Sequence, residues 1–271
     1  MNLISIISLL QNIKTHRFIQ VNYSIVYINM RSNYIIMSVS DPIIFCFIDW
    51  DDTLLPLHAL QTSHEIYNEK EIQYLFSEHE QKVIDLLNVL TYSMAVCIVT
   101  NAYEGWVENS SNKYMPNVVP LLKHIPILSA RQYEIKYPSD PTKWKMCAFD
   151  HLTNICGILP HKIISIGDSF YEIDACREIC RNKYISQTIK LLDRPSLYIL
   201  SQQLDFLTKI IPILAKERKS FDKMFTFIAS HVPNVMAIPK SKSQIEYVFI
   251  PLEIEAYSDA KQLSLISCSY P

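Results

Sequence analysis

The chain alternates between short apolar runs and longer amphipathic stretches. A run of continuous apolar residues predicts a strand that is buried on both faces. Such strands are predicted at residues 42–49, 94–99, 125–128, 162–166 and 183–191. Apolar residues that recur every three or four positions predict helices, and they do so between residues 72 and 90, from residue 141, and over residues 196–214. This alternation indicates an α/β fold with helices packed around a mostly parallel sheet.

The pattern divides the chain into a central domain and two extensions. Residues 41–220 contain the alternating elements and form the predicted central domain. Residues 1–40 form an extension whose structure the pattern does not specify. Its apolar run at residues 3–10 is too short to span a bilayer, which takes about 20 residues, although a targeting segment stays an alternative. Residues 221–271 form a second extension with one helix candidate and one strand candidate, at residues 245–250.

Composition excludes several classes of protein. The 271 residues include 25 Lys and Arg against 27 Asp and Glu, a net charge of −2, so binding of nucleic acid by bulk charge is not expected. Only 3 of the 271 residues are glycine, whereas glycine makes up roughly 7% of the residues in average proteins. The positions of these glycines rule out both a P-loop and a dinucleotide-binding fingerprint. The 7 cysteines include no CxxC pair, which favours buried thiols in a reducing compartment such as the cytoplasm.

Acidic and hydroxyl side chains follow three of the predicted strands. Asp49 and Asp51 come directly after the first strand, Thr100 and Asn101 after the second, and Asp168 after the fourth. Because the carboxyl ends of parallel strands meet at one edge of a sheet, these side chains are expected to converge. Carboxylates gathered in this way repel one another, and a hard divalent cation with oxygen ligands, Mg²⁺, is the natural counter-charge.

Four motifs resemble those of the haloacid dehalogenase (HAD) superfamily of phosphohydrolases with an aspartate nucleophile. They are DxDxT at Asp49, Asp51 and Thr53, a threonine that closes an apolar strand at Thr100, a lysine on a later helix, and GDxxx with a following acid at Asp168. The segments DWDDTLLP, VTNAYEGWVE and GDSFYE look like those of eukaryotic microbial members. The resemblance covers about residues 42–192. It implies a Rossmann-like three-layer sandwich and a magnesium-dependent phosphatase.

The resemblance also implies a role for each motif residue. Asp49 is the nucleophile that forms an aspartyl-phosphate intermediate, and Asp51 protonates the leaving oxygen and then activates water. Mg²⁺ is held by Asp49, the carbonyl oxygen of Asp51, and Asp168. Thr100 and the backbone amide of Asn101 hydrogen-bond the transferred phosphoryl oxygens.

Supporting residues are less sharply defined by the sequence. Thr53 and a second acid are expected to stand behind the metal ligands. Glu172 is the first choice for that acid, and Asp174 competes with it because the superfamily usually has Asp where this chain has Glu.

The cationic residue of the site is one of three lysines. Lys145 lies four residues before Phe149, an arrangement that looks like the Lys and Phe of magnesium-dependent phosphatases in the superfamily, and it is favoured. Lys136 and Lys143 are the alternatives, with solvated charges at a helix start as their other interpretation. Arg131 is a candidate to bind a second anionic group of the substrate.

The spacing of the motifs leaves little room for a cap domain, so the site is expected to be open to a phosphorylated small molecule or a phosphoprotein. No transmembrane segment is predicted, and the oligomeric state stays open. A catalytically silent scaffold with the same fold and a receiver-like signalling module are the alternatives to a phosphatase. The receiver is disfavoured because its phosphorylated aspartate follows a middle strand and not the first.

Overall fold

The structure is a computed structural model that describes residues 17–21, 24–28, 43–63, 69–155, 159–228 and 245–251. Two antiparallel strands near the start of the chain, β1 (Arg17–Val21) and β2 (Ser24–Ile28), form a hairpin of their own. The other strands are β3 (Ile44–Ile48), β4 (Ala95–Thr100), β5 (Ile127–Ser129), β6 (Lys162–Gly167), β7 (Ile185–Lys190), β8 (Phe221–Ile228) and β9 (Ile245–Pro251).

Helices connect the successive strands of the larger sheet from β3 to β8. They are α1 (Leu57–Ser63), α2 (Glu69–Ser93), α3 (Trp106–Tyr114), α4 (Val119–Leu122), α5 (Pro141–Ile155), α6 (Phe170–Cys180) and α7 (Leu197–Lys216), with a 3₁₀ turn at Ala130–Tyr133. Each strand predicted within residues 41–220 is present, with ends displaced by two residues or fewer. In the described part of the chain, no helix is both long enough and apolar enough to cross a membrane.

The seven larger strands form one sheet in the order β5-β4-β3-β6-β7-β8-β9, and every neighbouring pair is parallel. The first strand of this sheet, β3, lies inside it, and the chain adds β4 and β5 on one side before it crosses to add β6 on the other. The direction of winding therefore reverses between β3 and β6. In doubly wound sheets, ligands bind at the carboxyl ends of the strands at this point of reversal.

Apolar side chains cover both faces of the sheet. Successive side chains of a strand point to opposite faces, so Cys46 and Ile48 of β3 join one apolar core while Phe45 and Phe47 join the other. Residues of α2 and α7 complete the first core, and residues of α5 and α6 complete the second. The predicted α/β three-layer sandwich with a mostly parallel sheet is confirmed.

The sheet extends beyond residues 41–220, which were predicted to form the catalytic domain. Strand β8 lies beside β7, and β9 lies beside β8, so part of residues 221–271 continues the same sheet. The strand expected at residues 245–250 corresponds to β9. Residues 221–228 form a strand, and the remaining residues in which the helix candidate was expected lie outside the described ones.

Candidate active site

The carboxyl ends of β3, β4 and β6 meet at an open cleft of about 720 Å³. The backbone N–H of Asp49 donates to the carbonyl of Ile166 at 2.9 Å, which ties the end of β3 to the end of β6. Six residues predicted for the site line this cleft: Asp49, Asp51, Thr100, Asn101, Asp168 and Glu172. The cleft therefore lies where the direction of winding reverses.

The turn after β3 is held by backbone hydrogen bonds. The carbonyl of Trp50 accepts from the N–H groups of Thr53, Leu54 and Leu55. Asp52 has a left-handed backbone with φ of 51°, a conformation that Asp tolerates better than most residues. Its carboxylate accepts from the N–H of His58 at 2.8 Å. These bonds fix the direction in which the chain leaves β3 and with it the placement of the acids.

Thr53 is fully buried in this turn and is not part of the cleft lining. Its hydroxyl oxygen has no hydrogen-bond partner within the described part of the chain. Thr53 thus follows the acids in sequence and is buried outside the cleft lining, and its support of the metal ligands stays a prediction.

Lys145 brings a buried positive charge to the acids. It lies in the first turns of α5, whose start is capped by Asp140 accepting from the N–H of Lys143 at 3.1 Å. The Lys145 ammonium donates to Asp49 Oδ1 at 2.6 Å and lies 3.1 Å from Glu172 Oε1. It also donates to the carbonyl of Val99. Since an ammonium has three N–H groups, these three acceptors satisfy it completely.

The other two lysines considered for this role lie elsewhere. Lys136 and Lys143 are exposed, outside the cleft lining, and both ammonium groups lie near the ring of Tyr137. Lys143 also pairs with Asp140 at 3.3 Å. The geometry therefore favours Lys145 for the cationic role.

Glu172 and Asp174, the two candidates for the second acid, also lie in different surroundings. Glu172 is buried, and its Oε2 accepts from the N–H of Ser169 at 3.2 Å in a capping box at the start of α6. Its side chain passes so close to Gly167 that a Cβ there would lie 2.4 Å from Glu172 Cγ. Asp174 is exposed and lies 3.6 Å from Arg177. The structure thus brings Glu172, and not Asp174, to Lys145.

Asp51 has a partner that the sequence does not predict. The indole N–H of Trp106, the first residue of α3, donates to Asp51 Oδ1 at 2.7 Å. The neighbouring Thr100 hydroxyl accepts from the N–H of Ala102 at 3.0 Å. The buried carboxamide oxygen of Asn101 has no partner among the described residues. The spacing of Trp106 from the motifs carried no signal of its contact with Asp51.

Arg131 is not brought to the cleft. Its guanidinium pairs with Glu134 at 2.9 Å and lies 4.0 Å from the ring centroid of Tyr103. It is not among the residues that line the cleft.

Lys190, by contrast, lines the cleft without having been predicted, and its ammonium donates to the carbonyl of Asp168 at 2.6 Å.

Burial and mutual repulsion raise the pKa values of the acids. Burial raises the pKa of Asp49 to about 7, against the lowering effect of Lys145. Burial, with the nearby charges of Asp49 and Glu172, raises the pKa of Asp168 to about 8. Burial raises the pKa of Asp51 to about 6. Burial opposes the charged form of Lys145, but its two carboxylate partners prevail and raise its pKa.

The donor atoms of the cleft suit a hard cation. In the described ranges, no three side chains of His, Cys, Asp or Glu are arranged to hold a metal ion. The predicted ligand set, however, has only two carboxylates, Asp49 and Asp168, together with the carbonyl of Asp51. Mg²⁺ is bound by few protein oxygens and keeps several waters. Burial, together with the charges of neighbouring acids, raises the pKa values of both carboxylates, and a bound cation would favour their charged forms. The residues present therefore fit Mg²⁺ by chemistry.

No family model matches the chain, and neither a curated protein nor a solved structure shows significant similarity to it. The function is therefore argued from the geometry of the cleft.

Proposed function

We propose that this protein is a magnesium-dependent phosphomonoester hydrolase with Asp49 as its nucleophile. The observation that carries the proposal is the buried contact of Lys145 with Asp49 and Glu172, in a cleft that also presents Asp51 and Asp168. A buried lysine that touches the attacking carboxylate is what a reaction between two anions requires.

The repulsion between the attacking carboxylate and the phosphate sets how much positive charge the site must supply. A carboxylate approaching a phosphate dianion makes two repulsive charge pairs, each about 4 kcal/mol at 4 Å and an effective dielectric of 20. Lys145 offsets part of this repulsion from its fixed position. Mg²⁺, held by Asp49, Asp168 and the carbonyl of Asp51, would supply further neutralisation of the phosphate charge.

The chain's own residues divide the proposed reaction between them. An oxygen of Asp49 forms a bond to phosphorus while the ester P–O bond breaks, which gives an aspartyl phosphate. Asp51 gives its proton to the departing alcohol oxygen. It then accepts a proton from a water whose oxygen bonds to phosphorus while the bond from Asp49 to phosphorus breaks, which frees Asp49 and releases inorganic phosphate. Its pKa of about 6 lies close enough to neutrality for both tasks.

The remaining cleft residues hold the transferred group. Thr100 and the N–H of Asn101 lie at the end of β4, beside Asp49 at the end of β3. Hydrogen bonds from these donors to phosphoryl oxygens would replace the glycine-rich loop that this chain lacks. Glu172 orients Lys145 through their contact at 3.1 Å.

The strand order argues against a receiver-like module. Flavodoxin-like receivers have the order 2-1-3-4-5, whereas counting from β3 this sheet has the order 3-2-1-4-5 followed by two more strands. Cys46, Cys147, Cys176 and Cys180 are free thiols, which supports the proposal that the protein works in a reducing compartment such as the cytoplasm.

Hydrolysis of para-nitrophenyl phosphate tests the proposal. We expect turnover that requires Mg²⁺ and falls by about three orders of magnitude or more in Asp49→Asn, because the nucleophile is lost. Asp174→Asn, which changes an exposed acid on α6, is the matched control and is expected to keep full activity. Unchanged turnover in Asp49→Asn would refute the nucleophile. A folded wild type without activity toward any phosphoester would indicate a silent scaffold.

A further inference from the structure

Two neighbouring aromatic residues line the cleft and have no role in the proposed chemistry. Phe170 and Tyr171, the first residues of α6, are 46% and 41% exposed, and both line the cleft. Isolated exposed apolar residues are ordinary. Two in sequence beside a candidate catalytic centre, with Leu192 also in the lining, form an apolar wall that a bound molecule can cover.

The charge of the cleft limits what that molecule can carry. Six acids line it: Asp49, Asp51, Asp52, Asp168, Glu172 and Asp193. Two lysines face them: Lys145, which pairs with Asp49 and Glu172, and the lining lysine Lys190, whose ammonium lies 5.2 Å from the centroid of the Phe170 ring. The proposed chemistry uses four of these acids and leaves Asp52 and Asp193 beside them. Arg194, whose charge acts on Asp52, is exposed and does not line the cleft. The charges of Asp168, Asp193 and Glu172 act on Lys190, so this lysine is already surrounded by acids. Because acids outnumber lysines along the cleft, a second anionic group on a substrate would meet a net like charge.

From the aromatic wall and the acidic lining together, we infer that the substrate is a phosphomonoester with an aromatic ring and no second anionic group, whose ring packs against Phe170 and Tyr171. This inference rests on the proposed function for the identity of the phosphate group. Aromatic pairs contribute beyond the area they bury, whereas the acids that surround Lys190 disfavour a carboxylated or polyphosphorylated molecule.

Binding of phosphonates to the full chain in the presence of Mg²⁺ tests the inference without turnover. Benzylphosphonate, propylphosphonate and phosphonoacetate share the phosphonate and differ in carrying a ring, an alkyl chain and a second anion. By calorimetry, we expect benzylphosphonate to bind about threefold to tenfold more tightly than propylphosphonate, and phosphonoacetate to bind most weakly. Phe170→Ala and Tyr171→Ala are each expected to reduce the preference for benzylphosphonate. Tyr92→Ala, at an exposed tyrosine on α2 outside the cleft, is expected to preserve it.

The outcomes separate this inference from the proposed function. Equal affinity for benzylphosphonate and propylphosphonate, tighter binding of phosphonoacetate, or no binding of any phosphonate would overturn the substrate class. Asp49-dependent hydrolysis of para-nitrophenyl phosphate would then still support the hydrolase. Selective binding of benzylphosphonate without any hydrolysis would support the ligand class and overturn the hydrolase.

Discussion

Lys145 balances the charge of the candidate site. Its side chain is fully buried, and its three N–H groups are taken by two carboxylates and one carbonyl. A buried ion pair adds little over an apolar pair of the same shape, but the removal of one partner leaves the other as an unpaired buried charge. Asp49 and Glu172 would both be left in that state.

We expect Lys145→Met to lose hydrolysis and to destabilise the fold by about 3–5 kcal/mol at pH 8. The loss is expected to be smaller at pH 5, because burial raises the pKa of Asp49 to about 7 even beside the lysine, so that without the lysine this carboxyl group is neutral at pH 5. Urea unfolding at both pH values measures this difference.

Lys143→Met is the matched control, because Lys143 is exposed and its pair with Asp140 is largely solvated. It is expected to change stability by no more than about 0.5 kcal/mol. Equal urea midpoints for the two variants would show that Lys145 does not carry the charge balance.

At the scale of single residues, the sequence predicts some residues of the candidate site and not others. It places Asp49, Asp51 and Asp168 at strand ends, because the apolar runs before them are unambiguous. It leaves Lys145 as one of three lysines, since choosing among them requires knowing which face of α5 meets the sheet. The contact of Trp106 with Asp51 joins residues 55 positions apart, and no local pattern encodes it.

The junction of β6 and α6 joins the fold to the site. Gly167 ends β6, and the side chain of Glu172 on α6 passes over it. A side chain at position 167 would displace Glu172 from the capping box and from Lys145. Backbone freedom is not the issue here, because what Gly167 provides is space.

We expect Gly167→Ala to lose about 1–3 kcal/mol of stability through this clash, together with most of the activity. Gly105→Ala is an instructive comparison: its φ of 84° makes alanine strained, while the nearest atom to a new Cβ is Asn109 Nδ2 at 3.8 Å. That variant is expected to lose about 1–2 kcal/mol and to retain kcat/KM. Thermal unfolding and steady-state kinetics distinguish the two glycines, and parallel losses of activity would contradict the role given to Gly167.

A second buried lysine caps a helix far from the cleft. Lys162 begins β6, and its ammonium donates to the carbonyls of Leu214 and Ala215 at 2.9 and 3.0 Å, and also to that of Glu217. These carbonyls belong to the end of α7, where a helix has unpaired acceptors. The cleft lies at the opposite end of β6.

We expect Lys162→Met to cost about 2 kcal/mol, because the hydrogen bonds from a charged donor are lost, and to leave kcat/KM unchanged. Lys216→Met, at an exposed lysine in the last turn of α7, is expected to cost less than about 1 kcal/mol. Chemical denaturation measures both. A loss of activity in the folded Lys162→Met variant would contradict a purely structural role.

Sequence patterns predict an element well when the spacing of its apolar residues fits only one kind of secondary structure. Strands β3, β4 and β6 are continuous apolar runs, and they form as predicted. Strand β8 is harder, because its apolar residues Phe221, Met224, Phe225 and Ile228 are spaced as on one face of a helix. Its pairing with β7 and β9 makes it a strand, which local spacing does not encode.

At the scale of the whole molecule, the order of the strands concentrates acidic residues at one end of the sheet. The reversal between β3 and β6 places Asp49 and Asp168 in the same cleft, and the buried surroundings raise both pKa values. The fold therefore holds protons near neutrality that the unfolded chain releases.

This difference predicts how stability depends on pH without metal. The pKa values of Asp51, Asp49 and Asp168 rise from 3.8 to about 6, 7 and 8 in the folded protein. The folded state thus binds more protons than the unfolded state between about pH 4 and pH 8, so the free energy of unfolding falls as pH rises through this window. Each group contributes at most about 1.4 kcal/mol per pH unit. Urea unfolding in EDTA at pH 5 and pH 8 measures the slope.

Asp168→Asn is expected to flatten this slope and to be more stable than the wild type at pH 8, by about 1–2 kcal/mol. Asp174→Asn, at an exposed acid, is expected to keep the wild-type slope. Added Mg²⁺ is expected to raise the melting temperature of the wild type at pH 8 and to have less effect on Asp168→Asn. A wild type that gains stability from pH 5 to pH 8 in EDTA would show that these acids ionise freely.

The hydrogen bond from Trp106 leaves one oxygen of Asp51 to carry a proton, and this sets the order in which the products leave. An indole N–H only donates, so Asp51 Oδ1 accepts from Trp106 in either protonation state, and a proton carried by Asp51 resides on Oδ2. Under the proposed mechanism, this one oxygen gives its proton to the departing alcohol and later accepts a proton from the attacking water. The two cannot occupy that position together, so the alcohol product is released before hydrolysis begins and inorganic phosphate leaves last.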